Sequence, residues 1–252
     1  MYNLLKIIFK TGNVSEQLSE VPRYPHSQGE LHIGDQTLCA DCTRCIEACP
    51  TAALTRQDGE LSINYKKCLF CAACLDACQH QLIFRTNLDT PLIVTGGEVL
   101  DTGKYLKQKQ GGSLHVRHLD AGSCNACDFE MGATLNPYYD VQRFGVDFVA
   151  SPRHADIVMV TGMVTRNLLQ AVQETFISMP RPSLVMAVGT CACSGNLFGE
   201  SNYAQMGAVD EVLPVDIYVP GCPPTPKMMA YALIYASELL QKKMDNNGGS
   251  NF

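Results

Sequence analysis

CADCTRCIEACP (residues 39–50) and CLFCAACLDACQ (residues 68–79) place eight of the chain's 13 cysteines in one pattern written twice. Both copies read C-x2-C-x2-C-x3-C, through Cys39, Cys42, Cys45 and Cys49, then Cys68, Cys71, Cys74 and Cys78. A C-x2-C-x2-C loop can wrap three corners of a small body with its backbone amides turned towards the sulfurs. A cubane iron-sulfur cluster is such a body, and it needs four converging thiolates. The fourth must come from outside the loop. Other readings explain less. A disulfide framework belongs to an oxidising compartment, and a structural zinc site shows paired C-x2-C knuckles separated by a longer spacer rather than runs of four cysteines.

The double run resembles the bacterial two-cluster ferredoxin motif, in which each fourth ligand comes from the other repeat. That resemblance implies one 4Fe-4S cluster on Cys39, Cys42, Cys45 and Cys78, and a second on Cys68, Cys71, Cys74 and Cys49. Pro50 follows Cys49 as the motif expects, whereas Gln79 replaces the proline after Cys78. This departure bears on the turn geometry and leaves the ligand set intact. Between the runs, Asp58-Gly59 separates two short alternating segments and predicts a hairpin. The ferredoxin unit is expected over residues 37–84.

The 252 residues are 46% hydrophobic, enough for one or two packed domains. Thirteen cysteines without a secretory segment argue for a reducing, cytoplasmic setting. A net charge of -6 with no basic run gives nucleic acid nothing to hold. Residues 1–10 carry Leu4, Leu5, Ile7, Ile8 and Phe9 around Lys6. They predict a short amphipathic helix that caps the chain's own core, docks on a partner subunit or lies at a membrane interface; it is too short to span a bilayer. Residues 11–36, with Pro22, Pro25, Gly29 and Gly34, read as an extended lead-in without an element of its own. Together residues 1–36 form the first segment. Residues 85–112 read as a linker, part of which packs along a domain, with an apolar patch at residues 92–94.

From residue 113 the pattern changes. Apolar or β-branched runs at residues 144–150, 157–161, 184–188 and 217–219 predict buried strands, while residues 165–178 and 225–242 have helical length and spacing. Leu114 to Leu119 supplies a further strand, and Pro224 and Pro226 mark a helix start. Such alternation predicts an α/β flavodoxin-like domain over residues 113–244, built on a parallel sheet covered on both faces. An α+β two-cluster ferredoxin domain precedes it, and a frayed tail over residues 245–252 follows.

Cys124, Cys127, Cys191 and Cys222 form no local run, yet each sits in a glycine- or proline-marked turn after an expected strand. Turns at the carboxyl ends of parallel strands gather along one edge of the sheet. Four thiolates would meet there, enough for a third 4Fe-4S cluster, with Cys193 left over. Buried structural cysteines or a zinc site are the alternatives.

The segments SCNACDFE, SPRHADIVMVTG, AVGTCACSGNLFG and VDIYVPGCPPTP resemble the small subunit of group 4 energy-converting nickel-iron hydrogenases of the formate hydrogenlyase type. The same family holds the cluster-bearing subunit of respiratory complex I. The likeness covers about residues 113–242. It implies that the proximal cluster is held by Cys124, Cys127, Cys191 and Cys222, giving three 4Fe-4S clusters in all. Complex I relatives show two adjacent cysteines in the first motif, so the C-x2-C here favours the hydrogenase branch. Ala126, Cys193 and Asn196 depart from the usual Gly, Asn and Gly. Cys193 therefore reads as a small buried residue beside the ligand loop. MYNLLKIIFKTGNVSEQ followed by the double motif resembles the two-cluster ferredoxin-like subunit of formate hydrogenlyase, so the chain resembles two neighbouring subunits joined.

That resemblance implies an electron-transfer subunit with no active site of its own. The nickel-iron site requires two C-x2-C pairs from a separate large subunit. Implied partners are that large subunit, a further electron-transfer subunit or a ferredoxin or formate dehydrogenase module, and membrane subunits that hold the chain peripherally at the inner face of the cell membrane. Glu130, three residues after Cys127, matches the family's carboxylate near the cluster and is a candidate proton relay, with a solvated helix carboxylate as the alternative. Arg153 and His154 are candidate donors to the proximal sulfurs. Two other functions compete: the equivalent relay in a nickel-free, complex I-like quinone or polysulfide reductase, and a free ferredoxin-type carrier. A carrier needs no large sheet to hold one cluster.

Overall fold

The computed structural model describes residues 2–12, 15, 30–39, 42–85, 92–100, 113–195, 198 and 202–248. The chain opens with helix α1 (Tyr2–Thr11). Leu4, Leu5, Ile7 and Ile8 are all more than half exposed and Phe9 is 85% exposed, so α1 does not cap this chain's core.

The N-terminal unit follows a pseudo-symmetric plan. Strand β1 (Leu31–Ile33) precedes the short helix α2 (Arg44–Glu47), strands β2 (Leu54–Gln57) and β3 (Glu60–Ile63), helix α3 (Ala73–Ala77) and strand β4 (Ile83–Arg85). β2 and β3 pair antiparallel around Asp58 and Gly59, whose φ of 52° and 87° suit the left-handed two-residue turn that the sequence predicts. β1 pairs antiparallel with β4, Leu31 opposite Arg85. This corrects the reading of residues 11–36 as lacking an element. Three residues show too little periodicity to read as a strand, and their partner lies about fifty positions on.

The edge hairpin is the second departure. Inside the expected linker, β5 (Val94–Thr95) and β6 (Glu98–Val99) pair antiparallel, with Leu92, Ile93 and Val94 buried. The chain continues through β7 (Leu114–Asp120), α4 (Ala126–Ala133), β8 (Val146–Phe148), β9 (Ile157–Thr161), α5 (Leu169–Ile177), β10 (Leu184–Val188), α6 (Thr190–Ser194), β11 (Ile217–Val219) and α7 (Pro226–Gly248). The sheet order is β6-β5-β11-β10-β9-β7-β8. Its five parallel strands, numbered by sequence, run 2-1-3-4-5, the flavodoxin-like doubly wound order whose switch point lies between β7 and β9. The expected patch at residues 92–94 packs on this domain because its hairpin extends the sheet beyond β11.

β9 and β10 are buried at every position, as central parallel strands must be. Alternation divides them. Ile157, Met159, Leu184 and Met186 pack with Met229, Leu233 and Ala236 of α7, while Val158, Val160, Val185 and Ala187 pack with Val172 of α5 and Ala192 and Cys193 of α6. Boundaries at three elements differ from expectation. Residues 141–144 wind into a 3-10 turn ended by left-handed Gly145, so β8 starts only at Val146. α5 begins at Leu169 because Thr165 is held in an isolated bridge to Gln205. α7 runs past the expected residue 242, which leaves residues 249–252 of the expected tail outside the described chain.

The two units share one apolar core. Leu31, Leu54, Leu61, Phe70 and Ile83 pack with Leu92 and Val94, and Tyr218 and Met228 lie against them. Lys66 reaches across to Asp210 at 2.9 Å and lies 3.8 Å above the Tyr218 ring, whose hydroxyl donates to the same carboxylate at 2.9 Å. Burial opposes charge on Lys66, yet the Asp210 carboxylate outweighs it and raises the lysine above its ordinary value. Among the described residues no helix is long and apolar enough to cross a membrane.

Candidate metal centres

None of the 13 cysteines is in a disulfide. In the N-terminal unit Cys39, Cys42 and Cys78 surround Cys45: burial first, and then repulsion from those three sulfurs, pushes its thiol up. Around the second point, burial lifts Cys68 to about 11, where Cys74, Cys49 and Cys71 add repulsion and only the Phe70 amide opposes it. Cys74 rises to about 11 for the same reason, with Cys49 and Cys71 among its neighbours. The tertiary structure thus brings each fourth cysteine to the opposite repeat's loop, the crossed grouping expected from the motif. A cavity lined by Cys49, Cys68, Cys71 and Cys74 with Leu31 and Ile63 lies inside the second group.

Left-handed residues shape these loops. Phe70 (φ 57°) sits between Cys68 and Cys71, and Ala72 (φ 69°) between Cys71 and Cys74. Side chains adopt this conformation at a cost, which is accepted here because it turns backbone N–H groups inward onto sulfur; Phe70 N donates to Cys68 Sγ at 3.4 Å. After the fourth cysteines the two turns match. Ala53 N donates to Cys49 Sγ at 3.2 Å and Leu82 N to Cys78 Sγ at 3.3 Å, with Ala52 and Gln81 at φ 47° and 51°. Gln79 therefore does not alter the turn that Pro50 accompanies in the first copy.

The third set assembles along the carboxyl edge of the parallel sheet. Cys124 follows β7, Cys191 follows β10 and Cys222 follows β11. Cys127 and Cys191 lie on α4 and α6, so these two expected turns open directly into helices. Burial, then repulsion from Cys191, Cys222 and Cys124, lifts Cys127 to about 12. Burial and the same kind of repulsion from Cys222 and Cys124 lift Cys191 to about 11. Gly189 makes room for the set: a Cβ there would lie 2.6 Å from Cys127 Sγ.

These observations test the fit of iron-sulfur clusters. In each group, thiols that burial and mutual repulsion hold back from ionising, Cys45, Cys68, Cys74, Cys127 and Cys191 among them, become stable thiolates around a strongly positive body, which an iron core supplies. Among the described residues, no three His, Cys, Asp or Glu side chains converge tightly enough for a single metal ion. A tetrahedral zinc draws its sulfurs to about 2.3 Å from one centre, whereas a cubane spreads its ligands over four irons. Donor type, number and backbone N–H···S contacts all fit 4Fe-4S binding.

Several contacts around the third set had no signal in the sequence. Thr190 Oγ1 donates to Cys68 O at 2.9 Å and accepts from Gly221 N at 3.3 Å, tying the second thiol group to the neighbours of Cys191 and Cys222. Asp128 accepts from Thr161 at 2.8 Å and pairs with His118 Nε2 at 2.8 Å. Burial lowers His118 despite that carboxylate. Asp120 accepts the Gly122 and Ser123 amides at 2.8 and 2.7 Å, anchoring the Cys124 turn. Each bond joins a group of the third set or its turns to a residue distant in the chain or of unremarkable type.

Four further residues have distinct placements. Glu130 lies half-buried on α4, and burial raises its carboxyl above the ordinary range. Arg153 and His154 are exposed in the 3-10 turn Pro152–His154, at the amino end of β9. The third set gathers at the opposite end of that strand, so these two residues are not donors to its sulfurs; a loop that precedes a parallel strand cannot reach the edge that the strand runs towards. Cys193 is fully buried, with its Sγ 3.4 Å from Ala187 O, and it packs with the α5-side core. Cys193→Ala should leave iron content unchanged and cost about 1 kcal/mol or less, measured by iron assay and denaturant unfolding.

Residues 38–83 match a 4Fe-4S dicluster domain, and residues 124–236 match the family described as NADH ubiquinone oxidoreductase, 20 Kd subunit. The chain is 46% identical over 132 residues to the probable membrane-bound hydrogenase subunit mbhJ of Pyrococcus furiosus, covering 52% of this chain and 78% of that one. It is 42% identical to formate hydrogenlyase subunit 7 of Escherichia coli over 54% of its own length, and spans about half (53%) of that relative. An NADH-quinone oxidoreductase subunit of Geobacter metallireducens is 42% identical over 49% of this chain and 72% of its own. With cysteines from three turns on one sheet edge and relatives of this closeness matched over most of their length, the chain belongs to the NADH ubiquinone oxidoreductase 20 kDa subunit family, carried here behind a 4Fe-4S dicluster domain.

Proposed function

We propose that the chain is an electron-transfer subunit of a membrane-associated, formate hydrogenlyase-like nickel-iron hydrogenase, carrying three 4Fe-4S clusters. Cys39, Cys42, Cys45 and Cys78 would hold the first, Cys49, Cys68, Cys71 and Cys74 the second, and Cys124, Cys127, Cys191 and Cys222 the proximal one. When bound, these groups supply one-electron exchange between neighbouring centres. The observation that carries the reading is the Thr190 bridge, which fastens the loop of the second group to the turns of the third. Lys66, Asp210 and Tyr218 clamp the same junction, and the shared apolar core packs across it. A free carrier has no use for two rigidly joined units.

The face beside the third set suits a large partner subunit. Cys124 is exposed and Phe129, two residues after Cys127, is 79% exposed. A centre at that edge exchanges electrons with another metal only if a partner covers it closely, and such obligate interfaces are large and apolar. Glu130 would hold a proton at that boundary, a role supported by the burial that raises its carboxyl. The C-x2-C spacing of Cys124 and Cys127 and the mbhJ and formate hydrogenlyase relatives support the hydrogenase branch. The likeness to the NADH-quinone oxidoreductase relative supports the same relay in a nickel-free complex. Peripheral attachment to the inner face of the cell membrane would come through membrane subunits, and electrons would arrive from a ferredoxin or formate dehydrogenase module.

The test is anaerobic purification with and without the co-purifying large subunit, followed by hydrogen-dependent reduction of a viologen dye. Dye reduction only by a nickel-containing complex of both subunits is expected. Activity from this chain alone would refute the relay, and a partner without two C-x2-C pairs would move the assignment to the nickel-free complex.

A further inference from the structure

We propose that Arg56 is a positioning residue that makes the Cys39, Cys42, Cys45 and Cys78 site the more oxidising of the two sites in the N-terminal unit. The inference rests on the ligand sets proposed above and adds what distinguishes them. Arg56 lies on β2, outside both cysteine runs. Its Nη1 donates to Gly59 O at 2.9 Å, and its Nη2 donates to Cys42 O at 3.0 Å and to Cys39 Sγ at 3.3 Å. A guanidinium is a rigid, permanently charged fork. With two carbonyls fixing its plane, the contact to sulfur is held in place.

Reduction by one electron adds a negative charge to an iron-sulfur centre. A cation and an N–H donor at a ligand sulfur stabilise the reduced form more than the oxidised one, and hydrogen bonds to sulfur and net charge are among the factors that set these potentials. The other site is built differently. Cys68 Sγ receives the Phe70 amide, and Cys49 Sγ receives the Ala53 amide and lies 3.8 Å from the Thr51 hydroxyl, all neutral groups. Leu31 and Ile63 line its cavity, and apolar walls penalise added charge. The second site has a cation of its own, Arg85, but its recorded bond runs to a carbonyl of the ligand loop, Phe70 O at 3.1 Å, rather than to a ligand sulfur, and Lys66 is paired with Asp210. An electron in the N-terminal unit therefore favours the Arg56 side.

The experiment is a redox titration of the full, anaerobically reconstituted chain followed by electron paramagnetic resonance, for wild type, Arg56→Gln and Arg56→Lys. Arg56→Gln should keep its iron and lower one N-terminal midpoint by about a tenfold change in the reduced-to-oxidised ratio at fixed potential, about 59 mV for one electron, leaving the other midpoints in place. Arg56→Lys, which keeps the charge but not the fork, should recover part of the shift. Full iron with an unmoved midpoint in Arg56→Gln would overturn the proposal. Should that variant lose its iron, wild-type protein labelled with 15N in the arginine guanidinium decides. Electron-nuclear double resonance should then find a 15N coupling on the N-terminal signal of higher midpoint, and its absence would overturn the role. A wild-type chain lacking the first site's four irons would overturn the ligand reading itself, and this proposal with it.

Discussion

Cys222→Ser is expected to lower the iron content from about twelve to about eight atoms per chain, with acid-labile sulfide falling in step, while both ferredoxin-type signals persist. Cys222 lies in the turn after β11 and belongs to none of the three apolar cores. The packing that closes the N-terminal unit comes instead from Leu31, Leu54, Leu61, Phe70 and Ile83. Its two thiol groups should therefore survive loss of the third. A wild-type content near eight would remove the third site, and zinc in place of iron would remove the whole reading. Loss of all iron from Cys222→Ser would show that the junction through Thr190 and Lys66 makes the two units fold as one.

Gly189→Ala should be as damaging to the third site without touching a ligand. Gly189 has φ 89° and ψ 152°, a region that residues with a side chain enter at about 1–3 kcal/mol. The new Cβ would also lie 2.6 Å from Cys127 Sγ, in a turn held by Gly189 N to Val219 O at 2.8 Å. The backbone side cannot retreat, because Gly189 directly follows β10, a central strand paired with β11, so the Cys127 thiol is what must leave its position. Loss of the third site's iron together with a lowered melting temperature is the expected result. Gly132→Ala is the control. It lies on α4 with no heavy atom within 4 Å of the new Cβ, and it should stabilise the chain by about 0.4–1 kcal/mol. Equal iron content in the two variants would show that Gly189 is not the clearance for Cys127.

The sequence by itself determined what is written in local spacing. Two C-x2-C-x2-C-x3-C runs specify their loops because three thiols within seven residues can face one point only if the backbone wraps it. Asp58-Gly59 specifies the hairpin because both positions must enter the left-handed region. Strands β9, β10 and β11 fall on the expected residues, since a buried parallel strand is a continuous apolar run bounded by polar turns. Tertiary structure decided the rest. Leu31 to Ile33 and Val94 to Val99 become strands only because distant edges offer them hydrogen bonds. Arg153 and His154 look like neighbours of the third set until the direction of β9 puts them at its far end. Arg56 reaches Cys39, and Thr190 reaches Cys68, through bonds that span 17 and 122 positions. Local sterics and burial act on near neighbours and so leave a periodic trace in the chain. Contacts across such separations depend on how finished elements pack, and no spacing of residue types records that in advance.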